Sequence, residues 1–419
     1  MKKNRVIIAL LPILILICVP IQNQNLPEEE THDSVSKLLR LQRIEDLETT
    51  DFIEKKNKVS FVSTSLTDTS NSENKPQKTV LLGEKGINKA INSIQGVTAY
   101  VENSPIEILN NSAFGPTGYD FNGNGSSDNP YQITGYNITD SSTTLIHIEN
   151  TTAYFRIANN YLNGSGGFNE GIDLENVTHG LIENNTFCNI FDGIILDESH
   201  HNTIFNNSFI DTPHDGIALR DSSNYNNITN NVIVDCGGGI SLSSSDNNTV
   251  WNNTINDASY EGDITLYSSN YNVLLNNTLS YAYSGILLQV SSRFNILSGN
   301  TIFEQTSQGI RVQSSSNNNS IIDNTIYNIT DTTGSGSGVY IDSSHNNTLL
   351  GNIIFVCVDQ GIYLSGSDYT SIQSNTISNC TISQGIYFFN SHNSSISLNV
   401  IYYCGRGMYI YSSSDNTFF

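Results

Sequence analysis

Gly239-Ile-Ser-Leu-Ser-Ser-Ser-Asp-Asn-Asn-Thr-Val-Trp-Asn-Asn-Thr-Ile255 is one copy of a unit that recurs along most of the chain. A glycine opens it, Ile240 and Leu242 alternate with polar residues, a polar turn follows, and Val250 and Ile255 return on either side of Asn253. Aligning the copies on that asparagine gives Asn160, Asn185, Asn207, Asn231, Asn253, Asn277, Asn300, Asn324, Asn352, Asn375 and Asn399, in steps of 22 to 28 residues. A unit this short cannot bury its own apolar face, so copies must stack on one another. The pairs Ile217/Leu219, Ile286/Leu288, Ile362/Leu364 and Met408/Ile410 have period two, with no sustained helical spacing. At about 3.3 Å per residue the step suits three short strands with their turns. The chain is therefore read as all-β, a right-handed parallel β-helix solenoid of about 11–12 coils stacked about 4.8 Å apart.

An asparagine held at one register through so many units is expected to face inward as a ladder. Each amide would bond its equivalents above and below and satisfy turn groups otherwise left without partners. A second column, Asn202, Asn226, Asn248, Asn272, Asn295, Asn319, Asn347 and Asn416, precedes another strand. Cys236, Cys357, Cys380 and Cys404 share a register filled elsewhere by Ile190, Thr212, Ala258, Ala282, Gln305 and Ile329. They are read as buried free thiols acting as small hydrophobes, with a bridge between stacked neighbours as the alternative. No CxxC or CxxH spacing suggests a cysteine metal centre.

Residues 1–24 join a basic start, Lys2, Lys3 and Arg5, to an apolar run from Val6 to Ile21, the pattern of a signal peptide or membrane anchor. The expected location is extracellular or at the cell surface. Residues 25–80 read as a helical and low-complexity linker, with Leu38, Leu41, Ile44 and Leu47 on one helix face. Residues 81–140 read as an N-terminal cap and 141–419 as the β-helix, ending mid-coil. Self-association through the N-terminal helix or the open C-terminal coil is an expected contact. A net charge of −22 and a pI of about 4.5 argue against nucleic acid and anionic lipid as partners. Asn-x-Ser/Thr sequons such as Asn137, Asn163, Asn252 and Asn276 are dense, and many arise from the repeat's own Asn-Asn-Thr turns.

Outward positions of a stacked fold form columns, so function should show as like residues at one register. Tyr340, Tyr363, Tyr387 and Tyr409 form such a column, flanked by Phe389 and Tyr411. They are the candidate carbohydrate-binding strip, since flat aromatic faces suit sugar rings. Glu170, Asp192 and Asp215 share the register before the glycine, and stacked carboxylates either take a cation or acquire raised pKa values. Asp120, Asn122, Asn124, Gly125 and Asp128 follow the ligand spacing of a calcium loop, with Tyr131 where its bidentate glutamate belongs. Calcium is the one cofactor the sequence suggests.

The iterated Gly-Ile-x-Leu and Asn-x-Ile coils, with Gly123-Asn-Gly-Ser-Ser-Asp-Asn-Pro-Tyr-Gln-Ile133 ahead of them, resemble the NosD-like right-handed parallel β-helix family, periplasmic copper-binding-protein-like. The resemblance runs from Ser104 to the end and implies the fold. The family hosts lyases, epimerases, binding proteins and a copper-site maturation factor, so it singles out no activity. Asp211-Thr-Pro-His214-Asp215 resembles the Asp-Pro-His-Asp motif of mannuronan C5-epimerases, in which the histidine and aspartate act on the proton beside a uronate carboxyl. The inserted Thr212 displaces Asp211 from His214. Arg220 is placed to pair with a sugar carboxylate or, more simply, with Asp197 one coil earlier. His147, His179, His200, His201, His214, His345 and His392 are scattered, so the resemblance carries no copper site onto this sequence.

Three functions follow in order. The first is an exported, non-catalytic protein that binds a polysaccharide or surface glycan, or serves as a cell-surface scaffold or adhesin. The second is a polysaccharide lyase or C5-epimerase acting on acidic sugars through Glu170, Asp192, His214 and Asp215. The third is an accessory factor for copper-site assembly.

Overall fold

The computed structural model describes residues 100–419 apart from 261, 331–335 and 381. The signal or anchor, the linker and the start of the cap lie outside the described residues. Each coil contributes three strands that pair in parallel with their equivalents. The first sheet runs from Val101–Asn103 to Val400–Tyr402, the second from Ile106–Ile108 to Arg406–Tyr411, and the third from Tyr131–Thr134 to Thr417–Phe418. The third sheet has 13 strands, which makes about 12 turns of a parallel β-solenoid. Ser208–Arg220 and Val232–Ser243 each run unbroken from the first sheet into the second.

The coils begin at Val101, within the stretch read as a cap, where Val101 pairs with Tyr136 and Ile106 with Ile146. Ile106 and Ile108 already supply the inward pair. An insertion carrying the 3-10 turn Asn111–Phe114 separates them from the next strand and hides the repeat. Phe114 from that turn stacks on Tyr131 at 4.9 Å and on Phe155 at 5.5 Å, covering the apolar interior there.

The asparagine ladder forms along its whole length, from Asn160 to Asn399. Asn231 donates through Nδ2 to Asn253 Oδ1 at 3.0 Å and through its backbone N at 2.9 Å, and its Nδ2 also reaches Ile204 O. The residue before each ladder asparagine turns the corner in the left-handed region, as at Asn206 (φ 53°), Asn230 (φ 58°) and Asn252 (φ 54°). Asparagine visits that region more readily than other side-chain-bearing residues, and Gly299, Asp323, Gly351, Ser374 and Leu398 replace it in the last five coils of the ladder. The Asn-Asn doublet thus divides its work, the exposed first residue bending the chain and the buried second filling the bend. The second asparagine column is also present, with Asn248 N donating to Asn272 Oδ1 at 2.8 Å. A serine ladder that sequence reading missed runs beside it, as in Ser269 N to Ser292 Oγ at 3.1 Å; serine is so common in these turns that its register does not stand out.

Cys188, Cys236, Cys357 and Cys380 are buried, Cys404 is half-buried, and all five are unpaired thiols. Among the described residues, Asp263 is the one charged-type residue placed at the inward glycine register. Ile264 aligns with Ile240 and Ile286, which sets Asp263 level with Gly239 and Gly285. Its Oδ2 accepts from Gln305 Nε2 at 2.9 Å, and Oδ1 has no hydrogen-bond partner. Burial pushes its pKa well above the usual carboxylate range.

The folded state therefore keeps a proton on Asp263 that the unfolded chain releases near pH 4. The stability tied to this proton is full below that pH and is lost as pH rises through the raised folded value. Asp263→Asn keeps an acceptor for Gln305 and removes the titration. Its melting temperature is expected to fall less than wild type's between about pH 5 and pH 8, and parallel pH profiles would refute the assignment.

Candidate active site

The bend between the first and second sheets carries an irregularity at Asp211–Asp215. Thr212 aligns with Cys236 but Asp215 with Gly238, so the lower strand has one residue more than its neighbour. Such a bulge re-aims a side chain, and here His214 lies over the preceding coil with Nδ1 2.6 Å from Asp192 Oδ1. Asp215 N donates to the same oxygen at 3.1 Å, and Arg220 Nη2 stands 3.5 Å from Oδ2. The Asp192 side chain is only 6% exposed, against 36% for His214. An ionised carboxylate at Nδ1 fixes the proton on that nitrogen and leaves Nε2 as the free lone pair. The imidazole lies parallel to Phe191 at 5.1 Å and edge-on to Tyr260 at 6.0 Å.

Asp215 is the second acid of the group. Burial holds its pKa above the ordinary carboxylate range, opposed by the hydrogen bond from Ser241 Oγ at 2.7 Å and by His214. It walls a hollow of about 140 Å³ lined also by Gly238, Ser241, Tyr260, Gly262 and Thr265. The hollow depends on Gly237-Gly238-Gly239. A Cβ on Gly238 would lie 2.1 Å from Asp215 Oδ1, and one on Gly237 would lie 2.1 Å from Pro213 O. Gly238→Ala meets only a movable side-chain end, so it is expected to displace the Asp215 carboxyl with little change in melting temperature. Gly237→Ala meets backbone and is expected to cost about 1–3 kcal/mol, which thermal unfolding of the two variants side by side would show.

Residues 159–337 match the family model for the periplasmic copper-binding protein (NosD), and residues 264–419 match that for the right handed beta helix region. Residues 159–419 are thus a NosD-like right-handed β-helix. No curated protein matches this NosD-like chain in sequence. Among solved structures it is similar to the periplasmic alginate epimerase AlgG, at 15% identity over 80% of this chain and 88% of that one, with a TM-score of 0.51. The PL6 family alginate lyase AlyGC matches at 15% identity over 76% of this chain and 49% of its own, with a TM-score of 0.55. The A-module of the Azotobacter vinelandii mannuronan C-5 epimerase AlgE4 matches at 14% identity over 78% and 93%, with a TM-score of 0.47. At these identities the likeness is one of fold.

Within this NosD-like β-helix the carboxylate register is as the sequence implied, with Glu170 aligned to Asp192. Glu170 itself takes a hydrogen bond from Thr144 at 2.5 Å and stays apart from His214. Asp211 sits exposed in the left-handed region (φ 54°), and the carboxylate on His214 comes from the neighbouring coil instead. Arg220 aligns with Asp197, yet its ion pair is with Asp192, a correction to the expected salt bridge. The buried charge of Asp192 needs a partner more than the better-solvated Asp197 does. A second cluster escaped sequence reading: His147 Nδ1 is 3.0 Å from Oδ2 of Asp173, its register partner in the next coil, and Nε2 is 3.7 Å from Glu149 on its own strand.

The tyrosine column forms in register, with ring centroids 5.0, 4.9 and 5.3 Å apart along Tyr340, Tyr363, Tyr387 and Tyr409. Arg311 lies over the Tyr340 ring at 5.9 Å and Arg406 over the Tyr409 ring at 4.9 Å. The faces expected to meet sugars are thus turned on one another and on the guanidiniums. A coil spacing of about 4.8 Å forces that stacking, and the column presents ring edges and hydroxyls outward. In the candidate calcium loop, Asn124 Oδ1 accepts from Ser126 N at 3.1 Å and Oγ at 2.7 Å, while Asp120, Asn122 and Asp128 lie at or near the surface.

The family description names copper. Two groups among the described residues bring ligand atoms within 4.8 Å of one another, His147/Glu149/Glu175 and Asp192/His214/Asp215. Each offers one imidazole among carboxylates, and Asp192 is already engaged on both oxygens. That donor set does not fit a copper site. Among the described residues no helix is long and apolar enough to cross a membrane.

Proposed function

We propose that this β-helix is an exported protein acting on an acidic polysaccharide by proton transfer at the sugar carbon beside a uronate carboxyl, the step shared by lyases and C5-epimerases. The observation that carries the reading is His214, held through Nδ1 by Asp192 at 2.6 Å, with the shielded Asp215 carboxyl 3.8 Å from that same nitrogen. His214 acts as base on the C5 proton, and Arg220 faces the uronate carboxylate. Asp215, whose burial favours the protonated form, supplies the proton either to the departing O4, leaving a C4–C5 double bond, or back to C5. Asp192 orients His214 and does not touch substrate.

One outward column, Ser241, Thr265, Leu287, Arg311 and Tyr340, leads from the hollow to the tyrosines, and is the path of the glycan chain. Asp173, Glu175 and Glu149 crowd the opposite side, so a polyanion approaches along the Arg311 side. The fold likeness to an alginate epimerase and an alginate lyase supports this class of substrate. Incubation of the full chain with alginate and other polyuronates in deuterated water tests it. Deuterium at C5 or an ultraviolet-absorbing unsaturated end is expected, and neither appearing on a polymer that the protein binds would sink the proposal.

The tyrosine column favours a second reading, a non-catalytic glycan-binding or surface-adhesion rod that uses the outward hydroxyls. In that case Tyr363→Ala and Tyr387→Ala abolish glycan binding, and His214→Ala leaves it unchanged.

A further inference from the structure

Positive charge is scarce among the described residues, which hold no lysine and only the arginines Arg156, Arg220, Arg293, Arg311 and Arg406. Arg156 pairs with Glu183 on the third sheet, and Arg293 donates to Ser315 O in a turn. The other three stand on the second sheet. Ala218, Ser241, Thr265, Leu287 and Arg311 are aligned neighbours in successive strands, so Arg220, on the strand of Ala218, lies four coils from Arg311, about 19 Å along the axis. Arg406, on the strand of Tyr409, follows another four coils on. Arg220 is tied to Asp192, whereas among the described residues no carboxylate pairs with Arg311, and its shielded Nε has no hydrogen-bond partner. Its charge meets only the Tyr340 ring, at 5.9 Å. A guanidinium without an acceptor, in a chain of net charge −22, is poorly explained as a support for the fold.

We infer that Arg311 is a distal subsite for one carboxylate of a polyuronate chain, about four sugars from the sugar that reacts. The inference rests on the reading of His214 and Asp215 as the reacting centre, with Arg220 facing the uronate carboxylate there. A 1,4-linked pyranose unit is about as long as one coil is high, so a chain laid along the column advances roughly one sugar per coil. Where alternate sugars flip, every second carboxylate faces the same way, and the fourth sugar from Arg220 again turns its carboxylate to the sheet. Arg311 meets it with a planar fork of donors that matches a carboxylate. Between the two arginines the outward column is Ser241, Thr265 and Leu287, which carries no charge of either sign. The subsite therefore reads chain length as well as charge, since five sugars reach from one arginine to the other and three do not.

The test is calorimetric titration of the full chain carrying His214→Ala, so that ligand is not consumed, with oligouronates of three and six sugars. The hexamer is expected to bind about 10- to 100-fold more tightly than the trimer, the range for a hydrogen bond to a charged group. Adding Arg311→Leu removes that gain and leaves trimer binding as it was. Leucine already stands at this register one coil earlier, as Leu287, and circular dichroism confirms folding. Arg293→Ala keeps the gain, and a neutral hexamer of the parent hexose shows no such gain. The subsite is overturned, with the reacting centre left standing, if the hexamer binds folded Arg311→Leu as tightly as its parent or if the neutral hexamer gains equally. If neither oligouronate binds, the polyuronate reading of the hollow falls and the subsite falls with it.

Discussion

Asn253→Ala is expected to lower the unfolding free energy by about 3–5 kcal/mol. Its Oδ1 accepts from both the backbone N and Nδ2 of Asn231, and its Nδ2 donates to Ile228 O and Asn277 Oδ1. All of these atoms are inside the solenoid, where water cannot replace the lost partner. Each buried group left unsatisfied costs about 1–3 kcal/mol, and partial relaxation keeps the total below the sum. The neighbouring Asn252 is the control. It is exposed, its amide bonds the Asn230 side chain, and its left-handed backbone suits glycine. Asn252→Gly is therefore expected to change stability by about 0.5 kcal/mol or less. Urea unfolding followed by circular dichroism separates the two, and equal midpoints would mean that the ladder adds no stability.

His214→Ala is expected to reduce turnover of an acidic polysaccharide by about 10²–10⁴-fold, the range for removal of a general base. Asp192→Asn should approach that loss while preserving shape, because an amide no longer fixes the proton on Nδ1. The rate should fall as Asp215 loses its proton, at a pH above the ordinary carboxylate range because burial holds the proton on. Asp215→Asn is expected to remove that fall along with most of the rate. Full activity in His214→Ala would move the base to another residue, and binding of the polymer with no turnover in wild type would leave the binding reading as the survivor. Loss of activity with an unchanged pH profile in Asp215→Asn would move the acid to another residue.

Much of this architecture was legible in the chain. A short period with alternating apolar pairs set the coil, and eleven asparagines at one register announced the buried ladder. Fixed spacing also placed Tyr340 above Tyr363 and Asp192 beside Asp215. Spacing could do this because in a stacked fold the register along the chain is the neighbour list in space.

What the sequence by itself determined is therefore the repeat, its three-stranded coil and the columns. Only the tertiary structure decided which members of those columns make contact. His214 meets Asp192 because a one-residue bulge re-aims it, and Arg220 leaves its aligned partner Asp197 for the buried charge of Asp192. The tyrosine faces close on one another, and Asp263 becomes a buried acid. Those outcomes turn on competition among side chains of different coils for burial, charge and hydrogen bonds, which a period read along one dimension does not contain.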